Sequence, residues 1–116
     1  MIVGICATGW IRRRKMKRSV QRVMPSAEIC FYRDHKCVME AAGKKRCDVI
    51  MIEIRDGTEM FTIRYLRDYS PKTKIIVYSD DGKYALDLIN MGVSGYMTEP
   101  LTCEKVRAQM EHLRYA

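Results

Sequence analysis

The stretch CDVIMIEIRDG, residues 47–57, decides the fold of this chain. Apolar side chains fill positions 49–52 and 54 without the alternation of a half-exposed strand, so the segment is predicted to be a strand buried on both faces. The last buried position of this strand holds Glu53. A carboxylate in such a place is costly unless a cation or hydrogen-bond donors accompany it. Glu53 is therefore the first candidate for a functional residue.

Strand-like and helix-like segments alternate on both sides of this stretch. The other strand-like segments are MIVGIC (1–6), AEICFY (27–32), KIIVYS (74–79) and GYMT (95–98). Thr8 and Asp34 are predicted to cap the first two helices, and Asp80 or Asp81 the fourth. A turn at Asp56-Gly57-Thr58 is predicted to begin the third. The period of the apolar residues thus changes five times from that of a strand to that of a helix.

Five strand–helix units predict an α/β fold with a doubly wound, five-stranded parallel sheet in the order 2-1-3-4-5. This is the flavodoxin-like (βα)5 arrangement, and Gly43 and Gly92 are predicted to end its second and fourth helices. Because no linker interrupts the units, residues 1–116 are predicted to form a single domain. The ligand crevice of this topology opens at the C-terminal ends of strands 1 and 3, so Glu53 is expected to lie in it.

Composition excludes several classes of protein. The 116 residues are 47% apolar and 30% charged, as in an ordinary globular domain. No apolar run approaches the roughly 20 residues of a membrane span, and arginines follow the first strand where a secretory signal would need an apolar region, so we expect a cytoplasmic protein with no membrane partner. Five cysteines form no C-x-x-C pair, and neither histidine lies at a ligand spacing from one, so no metal is expected.

The net charge of +7 lies in one part of the sequence. Residues 1–24 hold seven basic side chains and no acidic one, whereas the rest of the chain holds 14 basic and 14 acidic side chains. The basic segment is either a solvated helix face or a surface for nucleic acid. Because only Trp10 adds an aromatic ring to this segment, the solvated face is the favoured interpretation. Direct nucleic-acid binding through helix 1 is the weaker alternative.

The predicted crevice carries few groups that do chemistry. The ends of strands 1, 3, 4 and 5 supply Cys6, Ala7, Glu53, Ser79 and Glu99. No G-x-G-x-x-G loop is present for a phosphate, strand 1 adds no carboxylate for magnesium, and no strand end supplies a histidine or lysine as a base. We therefore expect no cofactor, no metal and no enzymatic activity.

Two stretches resemble the receiver domain of two-component response regulators: CDVIMIEI (47–54) and KIIVYSDDGKYALDLINMGVSGYMTEPLTCEKV (74–106). The most specific part, GVSGYMTEPL (92–101), is similar to the family's Gly-Ala-x-Gly-Tyr-x-x-Lys-Pro pattern. The segment YALDLINMGVSGYMTEP (84–100) resembles most closely the receivers that precede LytTR-type DNA-binding domains. The resemblance covers nearly the whole chain.

The resemblance implies a site that has lost its usual chemistry. Receivers transfer a phosphoryl group from a histidine kinase to their own aspartate with the help of bound magnesium. The acceptor position falls on Glu53, the acidic pair of the metal site on Cys6 and Ala7, and the lysine before Pro100 on Glu99. The phosphorelay switch positions, a hydroxyl and an aromatic ring, are kept as Ser79 and Tyr96. The resemblance thus implies a degenerate receiver, or pseudo-receiver, in which Glu53 is a fixed negative charge.

Glu53 and Glu99 would repel each other unless a proton or a cation lies between them. The candidates for the cation are Arg12, Arg13 and Arg55. An arginine nitrogen within about 4 Å of either carboxylate is the expected observation.

In receivers, the face made by helix 4, strand 5 and helix 5 commonly mediates dimerisation. The resemblance therefore implies a homodimer, or a contact with another signalling protein, through a face of mixed charge: Lys83, Tyr84, Asp87, Asn90, Lys105, Arg107 and Glu111, with Tyr96. It also leaves two possibilities open: a transcription regulator with an attached DNA-binding output domain beyond residue 116, or a stand-alone receiver.

The leading hypothesis is a signal-transduction module that acts through protein–protein contacts. A second hypothesis keeps phosphotransfer through unusual ligands, with Asp56, Asp80 and Asp81 as acids that could recruit a metal ion.

Overall fold

The structure is a computed structural model that describes residues 1–41, 44, 47–55, 57–80 and 82–114, without the side chains at 58 and 114. The predicted alternation of strands and helices is confirmed. The strands are β1 (Ile2–Cys6), β2 (Glu28–Tyr32), β3 (Val49–Glu53), β4 (Lys74–Ser79) and β5 (Gly95–Thr98). The helices are α1 (Trp10–Val23), α2 (His35–Ala41), α3 (Met60–Tyr69), α4 (Ala85–Asn90) and α5 (Cys103–Arg114), with a short 3-10 turn (Gly57–Glu59) before α3.

The strands form one parallel sheet in the order β2-β1-β3-β4-β5, as predicted. β3 lies between β1 and β4, with Ile52 opposite Cys6 on one side and Glu53 opposite Tyr78 on the other. All five residues of β3 are buried, as expected for a central strand of a parallel sheet covered on both faces. The position of β3 places Glu53 at the C-terminal edge of the sheet, where the crevice of this topology opens.

The two faces of the sheet bury separate apolar clusters. Alternate residues of β3 belong to different clusters: Val49 and Met51 pack on the α1 and α5 side, and Ile50 and Ile52 on the α2, α3 and α4 side. This two-residue period follows from the strand geometry, in which successive side chains point to opposite faces. The two clusters hold the strand ends of the crevice in fixed positions.

Two of the predicted helix-terminal residues are confirmed. Asp34 caps α2 by accepting a hydrogen bond from the Cys37 backbone N–H at 2.9 Å, and Gly92 follows α4 with φ of +90°. Neither role would suit an ordinary apolar residue, because the cap needs a side-chain acceptor and the positive φ needs the absence of a Cβ.

The prediction that Thr8 caps α1 is wrong. Gly9 occupies the N-cap position with φ of +79°, and no side chain there accepts a hydrogen bond from the helix. α4 begins only at Ala85, later than a cap at Asp80 implies. The predicted turn residue Asp56, the alternative cap Asp81 and the predicted stop at Gly43 lie outside the described residues.

Among the helices that the structure describes, none is both long and apolar enough to cross a membrane. The five cysteines form no disulfide with one another.

Candidate functional site

Glu53 is the buried end of β3 and the centre of the crevice. Its exposed fraction is 2%, so its carboxylate needs partners from the protein. One oxygen, Oε1, accepts two hydrogen bonds from Thr8: one from the backbone N–H at 3.1 Å and one from the hydroxyl at 2.6 Å. The Thr8 hydroxyl, predicted to cap α1, therefore donates to the Glu53 carboxylate instead. Thr8 comes shortly after the end of β1, and β1 pairs with β3, so Thr8 lies close to the end of β3.

Arg12, on the first turn of α1, supplies the cation that the sequence requires. Its Nη1 donates to Oε2 of Glu53, and its Nη2 lies 3.1 Å from Oε1 of Glu99 and 3.2 Å from Oδ1 of Asp80. The guanidinium carbon lies 5.2 Å from the centroid of the Tyr78 ring, a distance typical of a cation–π contact. The prediction of an arginine between Glu53 and Glu99 is confirmed.

Of the three arginines proposed for this role, Arg12 is the one that the described contacts place in the crevice. Arg55 is exposed, and its backbone N–H donates to Glu59 at the start of α3. Arg13 makes no ion pair with a described residue. The difference follows from helix geometry, since a step of one residue turns the side chain by about 100° around the helix.

The electrostatics of the pair favour full ionisation of Glu53. Burial by itself would raise the pKa of this carboxyl, but the hydrogen bonds from Thr8 and Arg12 outweigh burial and leave the pKa below its ordinary value. The hydrogen bond to Glu53 raises the pKa of the Arg12 guanidinium. Glu53 is consequently a carboxylate at neutral pH, with both of its oxygens in use.

Tyr78 is a site residue that the sequence analysis missed. It is 1% exposed near the C-terminal end of β4, and its hydroxyl donates to the same Glu99 oxygen that Arg12 contacts. Burial and this hydrogen bond raise the pKa of the phenol, so Tyr78 is a neutral donor. The signal in the sequence is weak, because a tyrosine before Ser79 in a buried strand is indistinguishable from core packing. Glu99 itself is followed by Pro100 through a cis peptide bond.

The two positions onto which the resemblance places the acidic pair hold buried residues without a carboxylate. Cys6 and Ala7 are both buried, and burial, with help from nearby carboxylates, raises the pKa of the Cys6 thiol to about 12. A thiol with such a pKa is neutral at physiological pH, so it lacks the thiolate form that binds metals or acts as a nucleophile. Within the described part of the chain, no cluster of three or more potential metal ligands is present.

His35 is a second residue whose role the sequence did not indicate. Its Nε2 lies 3.1 Å from the backbone oxygen of Glu53 and 3.2 Å from Oε2 of Glu59, and its Nδ1 lies 2.8 Å from the hydroxyl of Thr62. Because Nε2 faces two acceptors, the ring proton belongs on Nε2. His35 thereby joins the N-terminus of α2 and the end of β3 to α3, and it fixes the backbone that carries the Glu53 side chain.

The two switch positions of the resemblance lie on neighbouring strands. Ser79 is buried at the end of β4, where its carbonyl accepts a hydrogen bond from the Glu99 backbone N–H at 3.2 Å. Tyr96 is half-buried on β5 and packs against the cluster on the α2, α3 and α4 side. Whether Ser79 and Tyr96 act together as a switch remains a prediction.

The predicted interface residues are at the surface of α4, β5 and α5. Lys83, Asp87, Asn90, Arg107 and Glu111 are exposed, while Tyr84 and Lys105 are half-buried. The Lys83 ammonium lies 5.5 Å from the Tyr84 ring centroid, and that of Lys105 donates to the Thr98 carbonyl at 2.9 Å. Leu86 and Ile89, which the sequence did not single out, are apolar residues of α4 with exposed fractions of 72% and 57%.

Of the acids that the second hypothesis offered as metal ligands, only Asp80 is described. Its side chain is 73% exposed and bonded to Arg12, whereas Asp56 and Asp81 lie outside the described residues. Asp80 thus contributes to the ion pairs around the guanidinium.

The fold and the crevice place the chain among proteins with the receiver fold. No family model matches the sequence, and no curated protein matches it. Among solved structures, a response regulator from Thermotoga maritima superimposes with a TM-score of 0.85 at 15% identity, over 99% of this chain and 98% of that one. Pilus assembly protein CpaE from Caulobacter crescentus superimposes with a TM-score of 0.78 at 21% identity, over 97% and 98%.

A LuxR family DNA-binding response regulator from Silicibacter pomeroyi is also similar, with a TM-score of 0.85 at 10% identity over 99% of this chain and 93% of that one. Identities at this level establish the shared fold and nothing finer. The five-stranded flavodoxin-like receiver fold of this chain is thus established.

Proposed function

We propose that this protein is a degenerate receiver domain, a signal-transduction module that accepts no phosphoryl group and acts through protein–protein contacts. The observation that carries the proposal is the position of Arg12. Its guanidinium lies among the carboxylates of Glu53, Glu99 and Asp80, in the crevice where the resemblance expects magnesium and a lysine.

Phosphoryl transfer needs a free attacking oxygen and cations that neutralise the transferred group. Both oxygens of Glu53 are engaged, one by Thr8 and the other by Arg12. Cys6 and Ala7 supply no charged ligand for a metal ion, and Glu99 adds negative charge where the resemblance expects a lysine. These features together disfavour attack by Glu53 on a phosphodonor.

The ion pair of Glu53 and Arg12 implies that the charge of this site is not regulated by phosphorylation. A phosphorylation site changes charge when it is modified, but this pair keeps one charge state over the physiological pH range. Three carboxylates share one guanidinium, so the crevice retains an excess of negative charge. In this proposal the state of the domain is set by the ion pair, and partners read the α4, β5 and α5 face.

The finer assignments are part of the same proposal. The resemblance of residues 84–100 supports a receiver of the kind that precedes LytTR-type DNA-binding domains, with an output domain beyond residue 116 and a role in transcription regulation. The LuxR family response regulator of Silicibacter pomeroyi, a DNA-binding protein, has the same fold. The face with Leu86 and Ile89 is proposed to pair two copies or to bind another signalling protein.

Incubation with acetyl phosphate and magnesium, followed by intact-mass measurement, tests the proposal. An authentic receiver domain in the same reaction serves as the positive control. We expect no phosphate adduct on this protein, and none on its Glu53→Asp variant, because the variant still lacks the metal ligands. An adduct on a carboxylate of either protein would overturn the proposal, and the labelled peptide would identify the acceptor.

A further inference from the structure

The outward face of α1 carries a row of side chains with no function in the crevice. Trp10, Arg14, Arg18 and Arg22 recur at intervals of four residues, which corresponds to steps of about 6 Å along the helix surface and about 18 Å in all. All four are exposed, Trp10 to 64%. Lys15 lies exposed beside them. We name these five residues, including Lys15, the Trp–Arg row.

The cations of this row are not neutralised by the described part of the protein. The described ion pairs of α1 all belong to Arg12, which points into the crevice. No acidic residue occurs between residues 1 and 24, and the excess charge of the whole chain lies there. Four uncompensated cations on one helix face make a surface that attracts a polyanion.

The chemistry of the row favours nucleic acid over a lipid surface. Three of its four cations are arginines, whose planar guanidinium groups bind phosphate oxygens in pairs. Insertion into a membrane interface would need an apolar helix face, but the apolar residues Met16 and Val20 of α1 are 0% exposed and packed in the core. The exposed large apolar residues of α1 are Trp10 and Ile11, both at its first turn.

The exposed indole of Trp10 favours single-stranded over double-stranded nucleic acid. Proteins that bind single strands combine cations along the backbone with aromatic rings on which unpaired bases stack. An indole at one end of a row of arginines supplies both parts, whereas the bases of a duplex are already stacked on one another. The sequence alone favours a solvated helix face, but the structure aligns this exposed indole with cations that have no described ion pair. We therefore infer that the Trp–Arg row is a binding surface for single-stranded nucleic acid. This inference does not depend on the proposed function of the crevice.

Because Trp10 is the one tryptophan of the chain, its fluorescence reports directly on the row. The probe is an oligothymidylate of about 15 nucleotides, within the site sizes of single-strand-binding proteins. We expect quenching of the Trp10 emission. A plot of log affinity against log salt should have a slope of about −2 to −3, as expected for three or four phosphate contacts on a single strand.

Three variants and one control test the residues of the row, with fluorescence anisotropy of a labelled oligothymidylate as the measurement. Arg14→Ala/Arg18→Ala should weaken binding by about tenfold and make the salt slope shallower by about 1.4. Lys36→Ala/Arg64→Ala removes two exposed cations from the opposite face of the sheet and should change binding far less. Trp10→Ala should weaken binding by about tenfold, whereas Trp10→Phe should retain most of it. Circular dichroism verifies that each variant is folded.

Several results would overturn the inference. These are no quenching at low salt, an equal loss in the row variant and its control, duplex binding as tight as single-strand binding, or Trp10→Ala binding like the wild type. Vesicles of phosphatidylcholine and phosphatidylserine that alter the Trp10 emission while the oligonucleotide does not would assign the row to membranes. Polyglutamate binding as tight as that of the oligonucleotide would assign it to acidic proteins.

Discussion

Arg12 is the residue on which the crevice depends, because three carboxylates share its one positive charge. Of the three carboxylates, Glu53 depends most on the Arg12 guanidinium. Asp80 is largely exposed and Glu99 partly so, and water can solvate both, but Glu53 is 2% exposed. Thr8 satisfies one oxygen of Glu53 and leaves the other to Arg12. The consequences of substitution therefore differ among the three acids.

The variant Arg12→Met leaves a buried carboxylate without its counter-ion. We expect the free energy of unfolding to fall by about 2 kcal/mol, less than for a fully buried pair because Arg12 is partly exposed. Urea denaturation at pH 7 measures the change. Arg13→Met is the matched control, and its effect should stay within about 0.5 kcal/mol. The double variant Arg12→Met/Glu53→Gln should recover most of the loss, and equal losses in the single and double variants would contradict the pairing.

The lowered pKa of Glu53 predicts a specific pH dependence. Its carboxylate contributes stability above the ordinary pKa of 4.5, and this contribution is lost as the pH falls through the lower pKa of the folded state. Between pH 7 and pH values below 4.5, the wild type should therefore lose more stability than Glu53→Gln, which has no such group. Chemical denaturation at a series of pH values measures the two profiles. Parallel profiles would show that Glu53 does not have a lowered pKa.

At the scale of elements, the ends of the helices show where local rules hold and where the tertiary structure overrides them. Asp34 caps α2, as its position in the sequence predicts. Thr8 has an equally good position before α1 but bonds to Glu53, because its strand lies beside β3 in the sheet. α1 consequently begins without a side-chain cap, at Gly9.

The closure of α4 gives a prediction at this scale. Gly92 has φ of +90°, and a Cβ there would meet the Cδ of Arg67 at 3.4 Å. Gly92→Ala should destabilise the fold by about 1 kcal/mol, because an L-residue is strained at this φ. Gly82→Ala is the matched control, since Gly82 has no such φ and no described atom within 4 Å of the added Cβ. Thermal unfolding measures both variants, and equal melting temperatures would contradict the assignment.

At the scale of the whole molecule, eight large apolar side chains of the described residues are exposed. Two of them, Leu86 and Ile89, lie on α4 among the polar residues of the predicted interface. Apolar residues with a charged rim are typical of a surface that binds another protein. This arrangement is why we place the proposed self-association on α4.

If two copies associate through this face, Ile89→Glu should shift the protein towards the monomer. Sedimentation velocity over a range of concentrations measures the shift. Phe61→Glu is the matched control, because Phe61 is 58% exposed, close to the 57% of Ile89, but lies on α3. A wild type that sediments as a monomer at every concentration would contradict the homodimer. An equal effect of Phe61→Glu would place the contact elsewhere.

The sequence by itself determined the alternation of five strands and five helices, the order of the sheet and the location of Glu53 in the crevice. These follow from local periodicity and from the handedness of parallel connections, which depend on few long-range details. The sequence also limited the counter-ion of Glu53 to three arginines. Only the tertiary structure showed that Arg12 is the counter-ion and that Tyr78 donates to Glu99. It also showed that Thr8 bonds to Glu53 and that His35 contacts the backbone of Glu53. Each of these contacts joins residues far apart in the chain, so the pairing of the strands and the packing of α1 and α2 against the strand ends decide which partners meet.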